Sequence, residues 1–208
     1  MAKYKQRIAD RILERKVLGK GAVLIEGPKW CGKTTTAKQL AKSVLDLGDS
    51  AVLKQSSGLI EISPKTLLEG DTPRLIDEWQ ALPPIWDSIR SEVDKRGEPS
   101  QFILTGSSVL PEADETVHSG TGRFATIKMR PMSLYESGES NGSVSLNNLF
   151  NNIELKNGCT SNLSIENLIF AACRGGWQKV LMSIKSLHWS KFFRRVLDRN
   201  SCYRVEAI

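Results

Sequence analysis

The stretch Gly27-Pro28-Lys29-Trp30-Cys31-Gly32-Lys33-Thr34 constrains this chain more than any other, because it fits G-x-x-x-x-G-K-[ST] at every fixed position. An apolar run, Ala22-Val23-Leu24-Ile25, precedes it, and a segment of helical character, from Thr35 to Lys42, follows. Strand, glycine loop and helix are the context that turns such a match into a nucleotide phosphate-binding loop. The reason is electrostatic. A triphosphate is densely negative, and a loop wound onto a helix N-terminus points several unpaired backbone N–H groups at it. The candidate nucleotide ligands are therefore Gly27, Pro28, Lys29, Trp30, Cys31, Gly32, Lys33, Thr34 and Thr35. Lys33 is expected to reach the β- and γ-phosphates, and the Thr34 hydroxyl to bind Mg²⁺.

Downstream, Arg74-Leu75-Ile76-Asp77-Glu78 reads as a buried strand ending in two carboxylates. Asp77 is the candidate for the Mg²⁺ shell, and Glu78 for orienting and polarising an attacking water. Residues 101–108 (Gln-Phe-Ile-Leu-Thr-Gly-Ser-Ser) form another expected strand with hydroxyls at its end. In open α/β sheets, ligands sit beyond the carboxyl ends of the strands, which places Thr105 or Ser107 where a γ-phosphate is sensed. A hydroxyl that merely caps the next turn is the competing reading. Arg123 opens a last strand, Phe124–Met129, and is either a finger toward a neighbouring subunit's phosphates or an ordinary salt-bridged arginine.

Around these motifs the periodicity predicts a helix over 4–18, a helix over 34–47 closed by Gly48, and a short strand near 51–53. It further predicts a brief helix over 63–69 capped by Ser63, a helix opened by Pro83-Pro84, and a helix after Pro131. Two short helices are expected at 146–150 and 163–174, and residues 111–122 read as a surface loop. Hydrophobic residues make up 40% and charged residues 25%, a globular mixture with no apolar run of membrane-spanning length and no signal-peptide pattern. Four cysteines without C-x-x-C spacing and two distant histidines argue for reduced thiols rather than a disulfide or zinc framework, and hence for the cytoplasm. The formal charge is +6, but residues 179–208 hold seven Lys/Arg against Asp198 and Glu206, so the rest of the chain is near neutral and nucleic-acid binding by the core is unsupported.

GPKWCGKTTTA, LIDEWQ, FILTGS, HSGTGR, MRPMSLYESGES and RGGW, in that order, resemble the bacterial and archaeal AAA-type ATPases whose C-terminal half is a domain of unknown function. The resemblance covers about residues 4–177. It implies an α/β fold, a P-loop NTPase of the additional-strand type: a parallel sheet flanked by helices, the sensor strand lying between the phosphate-loop strand and the Asp-Glu strand, and a short helical lid. It implies ATP and Mg²⁺ as ligands. Lys33 and Thr34 match the phosphate and metal residues, Asp77 and Glu78 the acidic pair, Thr105 the sensor, and Arg123 the arginine of the S-x-G-R element. Arg174-Gly175-Gly176-Trp177 matches the lid's motif.

The expected division is a linker helix (1–20), an ATPase core (21–138), a partial lid (139–178) and a basic tail (179–208). Family members usually continue from the lid motif with proline and a long C-terminal domain. Here Gln178 follows, so the expectation is a truncated or frame-shifted member with a tail out of register; a basic amphipathic helix and an ordinary closing helix are the other readings of that tail. The functional expectation is hydrolysis of ATP to ADP and phosphate, as a homo-oligomer or with a missing partner domain. The competitors are a nucleotide-binding remnant that does not turn ATP over and a small P-loop kinase. The kinase would want several lid arginines where residues 107–130 offer Arg123 and Arg130, and a GTPase would want an N-K-x-D motif that the sequence lacks.

Overall fold

Five parallel strands, ordered β2-β3-β4-β1-β5, form the sheet of the computed structural model, which describes residues 4–107, 122–151 and 160–177. They are β1 (Ala22–Glu26), β2 (Ser43–Asp46), β3 (Arg74–Asp77), β4 (Phe102–Gly106) and β5 (Phe124–Lys128). β4 separates β1 from β3, so the strand ending at Thr105 lies between the phosphate-loop strand and the Asp-Glu strand. The helices are α1 (Ile8–Gly19), α2 (Lys33–Ala37), α3 (Ser50–Ile62), α4 (Pro64–Leu68), α5 (Ile85–Arg96), α6 (Leu134–Ser137), α7 (Leu146–Phe150) and α8 (Ile165–Arg174).

The three central strands β1, β3 and β4 are apolar on consecutive residues because both faces of the sheet are covered there. Ala22, Leu24, Ile76, Phe102 and Leu104 point into one core with Leu67, Trp79, Ile85, Trp86 and Ile89. Val23, Ile25, Leu75 and Ile103 point into the other with Leu13, Val17, Cys31 and Ala37. Trp86 stacks on Phe124 with ring centroids 4.4 Å apart, sealing the first core at the β5 edge. Truncating a fully buried residue such as Ile103 costs about 2–5 kcal/mol. α1 leans on the second core through Leu13 and Val17, while Ile8 and Leu18 stay exposed.

Two expectations are corrected. Residues 34–47 are not one helix: α2 ends at Ala37, its winding persists to Ala41 through the Gln39 N–H on Thr36 O and the Leu40 N–H on Ala37 O, and β2 begins at Ser43. Three consecutive β-branched threonines make weak helix, and Leu45 and Leu47 recur at the strand period, both buried against the first core. Residues 51–53 are not a strand but the first turn of α3. Asp49 caps it, its carboxylate accepting from Ala51 N (2.8 Å) and Val52 N (3.3 Å). The loop 111–121 and the tail 179–208 lie outside the described residues. Among the described residues no helix is long and apolar enough to cross a membrane.

Candidate functional site

Because all five strands run parallel, their carboxyl ends gather at one edge, and the motif residues gather with them. The phosphate loop leaves β1 at Glu26 and enters α2 at Lys33. Its two fixed glycines have different reasons. A Cβ on Gly27 would lie 2.3 Å from Met129 O, and Gly32 stands in the left-handed region at φ 102°. Trp30 also adopts positive φ, 66°, and is exposed. The Lys33 side chain is buried, its ammonium donating to Gly27 O (2.8 Å) and Pro28 O (3.1 Å). Those two carbonyls are weak partners for a full charge, and phosphate oxygens are stronger ones. Cys31 is buried beneath the loop, and burial pushes its thiol up against the opposing pull of Lys33.

Opposite the loop, Asp77 Oδ1 accepts from the Thr34 hydroxyl at 2.8 Å and from the Thr105 hydroxyl. Asp77 is 5% exposed and Thr105 fully buried. Thr34, Asp77 and Thr105, from three separate elements, thus form one oxygen cluster. Glu78, the next residue, turns sharply at φ 55°, in the left-handed region that a non-glycine residue rarely adopts. Its N–H reaches Thr105 Oγ1 at 3.4 Å, and its carboxylate accepts from the Gln80 amide.

Arg123 is elsewhere. It precedes β5, whose first residue pairs with Ala22, at the amino end of the sheet; five residues of strand, about 16 Å, separate it from the phosphate loop. There it pairs with Asp94 of α5. Of the expected site residues, Lys33, Thr34, Asp77, Glu78 and Thr105 come together, and Arg123 does not reach them within its own chain.

The residues that hold the loop were not legible as site residues. Arg7 is 4% exposed and donates to Cys31 O (2.7 Å), Arg130 O (2.8 Å) and Glu136 Oε1 (3.0 Å). It therefore ties the phosphate loop to the segment after β5. Glu136 also accepts from the Ile8 and Ser133 N–H groups, each at 2.8 Å. Burial pushes the Glu136 carboxyl up, but those N–H groups and the Arg7 guanidinium outweigh it and hold it below the usual glutamate range. Gly176 of the RGGW motif docks nearby: its carbonyl accepts from Met132 N at 2.7 Å, and a Cβ would lie 2.0 Å from Met132 O. Trp177 packs on the second core, which contains Cys31.

Residues 19–138, more than half of the chain, match the family model described as the AAA domain. The chain belongs to the AAA domain family. The AAA domain is a nucleotide-binding module of ATPase type, which accords with a phosphate loop facing an acidic strand end. Among solved structures the chain is similar to C. elegans PCH-2, with a TM-score of 0.49 and 17% identity over 86% of this chain and 61% of that one. No curated protein matches the chain.

Proposed function

We propose that this AAA domain binds ATP with Mg²⁺ and hydrolyses it to ADP and phosphate. The observation that carries this reading is the Thr34–Asp77–Thr105 cluster with Glu78 beside it, set against a phosphate loop whose lysine, among the described residues, is held only by loop carbonyls. All the donors in that cluster are hard oxygens, the set that suits Mg²⁺. Thr34 and Asp77 would hold the ion, which when bound supplies charge neutralisation at the β- and γ-phosphate oxygens. Lys33 exchanges its carbonyl partners for phosphate oxygens. Thr105 keeps Asp77 oriented by donating to it. Glu78, outside the cluster and less buried, accepts a hydrogen bond from the attacking water and aligns it with the γ-phosphorus.

Arg123 belongs to the proposal as a residue acting on a neighbouring copy, since its own site is out of reach; a homo-oligomer is the corresponding assembly. α7 and α8, with the RGGW motif, are proposed as the lid. A cytoplasmic location is part of the same proposal, supported by Cys31 and Cys173 as free thiols.

The test is calorimetric titration of the chain with a non-hydrolysable ATP analogue and Mg²⁺, beside Lys33→Ala, followed by phosphate-release assays of the wild type and Glu78→Gln. Binding lost in Lys33→Ala, and turnover lost by about 10²–10⁴-fold in Glu78→Gln with binding kept, is the expected result. Binding without any wild-type turnover makes the domain a nucleotide-holding module instead.

A further inference from the structure

Gln80 lies in the short 3-10 turn Trp79–Ala81, two residues beyond Glu78. Its amide nitrogen donates to Glu78 Oε2 and, at 3.3 Å, to Ser107 Oγ just past the end of β4. One side chain thus fixes the carboxylate that leaves β3 to the strand that carries Thr105. The other half of the amide is unusual. Gln80 Oε1 is buried and has no hydrogen-bond partner among the described residues. It lies against Gly106, where a Cβ would be 2.7 Å from it and 2.9 Å from Trp79 Nε1, so the missing side chain of Gly106 is the space the amide occupies. A buried acceptor without a donor is costly, and it persists where the other half of the group does something that outweighs it. Here the other half grips the one carboxylate of the site that is not already engaged by a hydroxyl.

We propose that Gln80 is the positioning residue for Glu78, holding its carboxylate in the orientation from which it aligns the attacking water. This rests on the hydrolase reading above. The left-handed turn at Glu78 frees its side chain from the strand's alternation, so backbone geometry alone does not aim it. Ser107 and Gly106 supply the rigid support, because β4 is a central strand paired on both sides.

The experiment measures steady-state phosphate release, analogue affinity and Tm for the wild type, Gln80→Met and Gln80→Glu, each also in a Glu78→Gln background. Methionine keeps the shape without the donor; glutamate sets a like charge beside Glu78. The expected result is a kcat about 10–100-fold lower for Gln80→Met and lower again for Gln80→Glu. KM, analogue affinity and Tm stay as in the wild type, and neither change has a further effect once Glu78 is Gln. An unchanged or raised kcat in Gln80→Met overturns the proposal while leaving the hydrolase reading intact. So does a joint fall of affinity and Tm in whichever variant folds, which is the signature of a structural role. A wild type that binds the analogue and never releases phosphate overturns both.

Discussion

Two arginine–carboxylate pairs sit at different edges of the molecule, and they are chemically alike and physically unlike. Arg7 and Glu136 have side chains 3% and 7% exposed, and each partner makes further hydrogen bonds to backbone groups. Arg123 and Asp94 are 39% and 46% exposed, at the amino end of the sheet. In the first pair both charges have left water, so each depends on the other and on carbonyls and N–H groups around it. In the second, water and salt compete for both partners, and the pair is readily opened. The difference teaches where each arginine is useful. The buried one is a fixed strut under the phosphate loop. The exposed one is a side chain whose present partner can be exchanged for another.

The sharpest way to break this comparison is Arg7→Ala. It leaves Glu136 buried without its cation and releases the carbonyls of Cys31 and Arg130, so a loss of about 3–5 kcal/mol is expected by denaturant unfolding. Nucleotide affinity should fall with it, because Cys31 O belongs to the phosphate loop. A loss below about 1 kcal/mol, the range of exposed pairs, removes the distinction between the two.

Gly176→Ala comes next. Its Cβ would lie 2.0 Å from the Met132 carbonyl oxygen, against backbone rather than a yielding side chain, so the RGGW segment must lift from Met132. Overpacking of this kind costs about 1–3 kcal/mol. A thermal melt reads the loss, and a melt superposable on the wild type means that Trp177 is not anchored through this contact.

Smaller again is the effect expected of Glu136→Gln. The folded-state carboxyl is held below the ordinary glutamate value, so ionised Glu136 adds stability above that ordinary value, near pH 4.3, and the contribution disappears as pH falls through the lower folded value. The variant should lose about 1–3 kcal/mol near neutrality, and its deficit should shrink as pH drops through that window. A deficit that stays constant down to pH 3 means that the carboxylate charge is not what matters.

These residues also mark the boundary of what the sequence made legible. The phosphate loop, the Asp77–Glu78 strand end and the Thr105 strand were readable, because each is a local pattern with a fixed chemical purpose; the position of β4 between them followed only from the family resemblance. Leu45 and Leu47 were misread as helix because two apolar residues at i, i+2 are a faint signal beside a strong helix-starting loop, and the Asp49 cap that begins α3 was passed over. Arg7 and Glu136 were illegible for another reason. They are 129 residues apart, and neither stands in a motif until the fold brings them together. Gln80 was in plain view in LIDEWQ, yet only its contact with Glu78 and an oxygen without a partner among the described residues distinguish it from a surface glutamine.

Arg123→Ala should have the smallest effect on folding, since its partner Asp94 is half exposed and regains water when the arginine is removed. The melt should match the wild type within measurement scatter. Turnover is where the change should register. An arginine acting on a neighbour's phosphates contributes on the order of 10³-fold or more, so phosphate release should collapse while the analogue still binds. Mixing decides between a neighbour and the chain's own site. A Lys33→Ala subunit is dead at its own phosphate loop but still offers Arg123, and an Arg123→Ala subunit has the reverse defect. If the arginine works across a subunit boundary, combining the two inactive chains restores part of the activity, in proportion to the mixed contacts formed. If each chain completes its own site without Arg123, the Arg123→Ala chain alone turns over like the wild type and mixing restores nothing. Arg123 and Asp94 are then only the surface pair they resemble in the isolated chain.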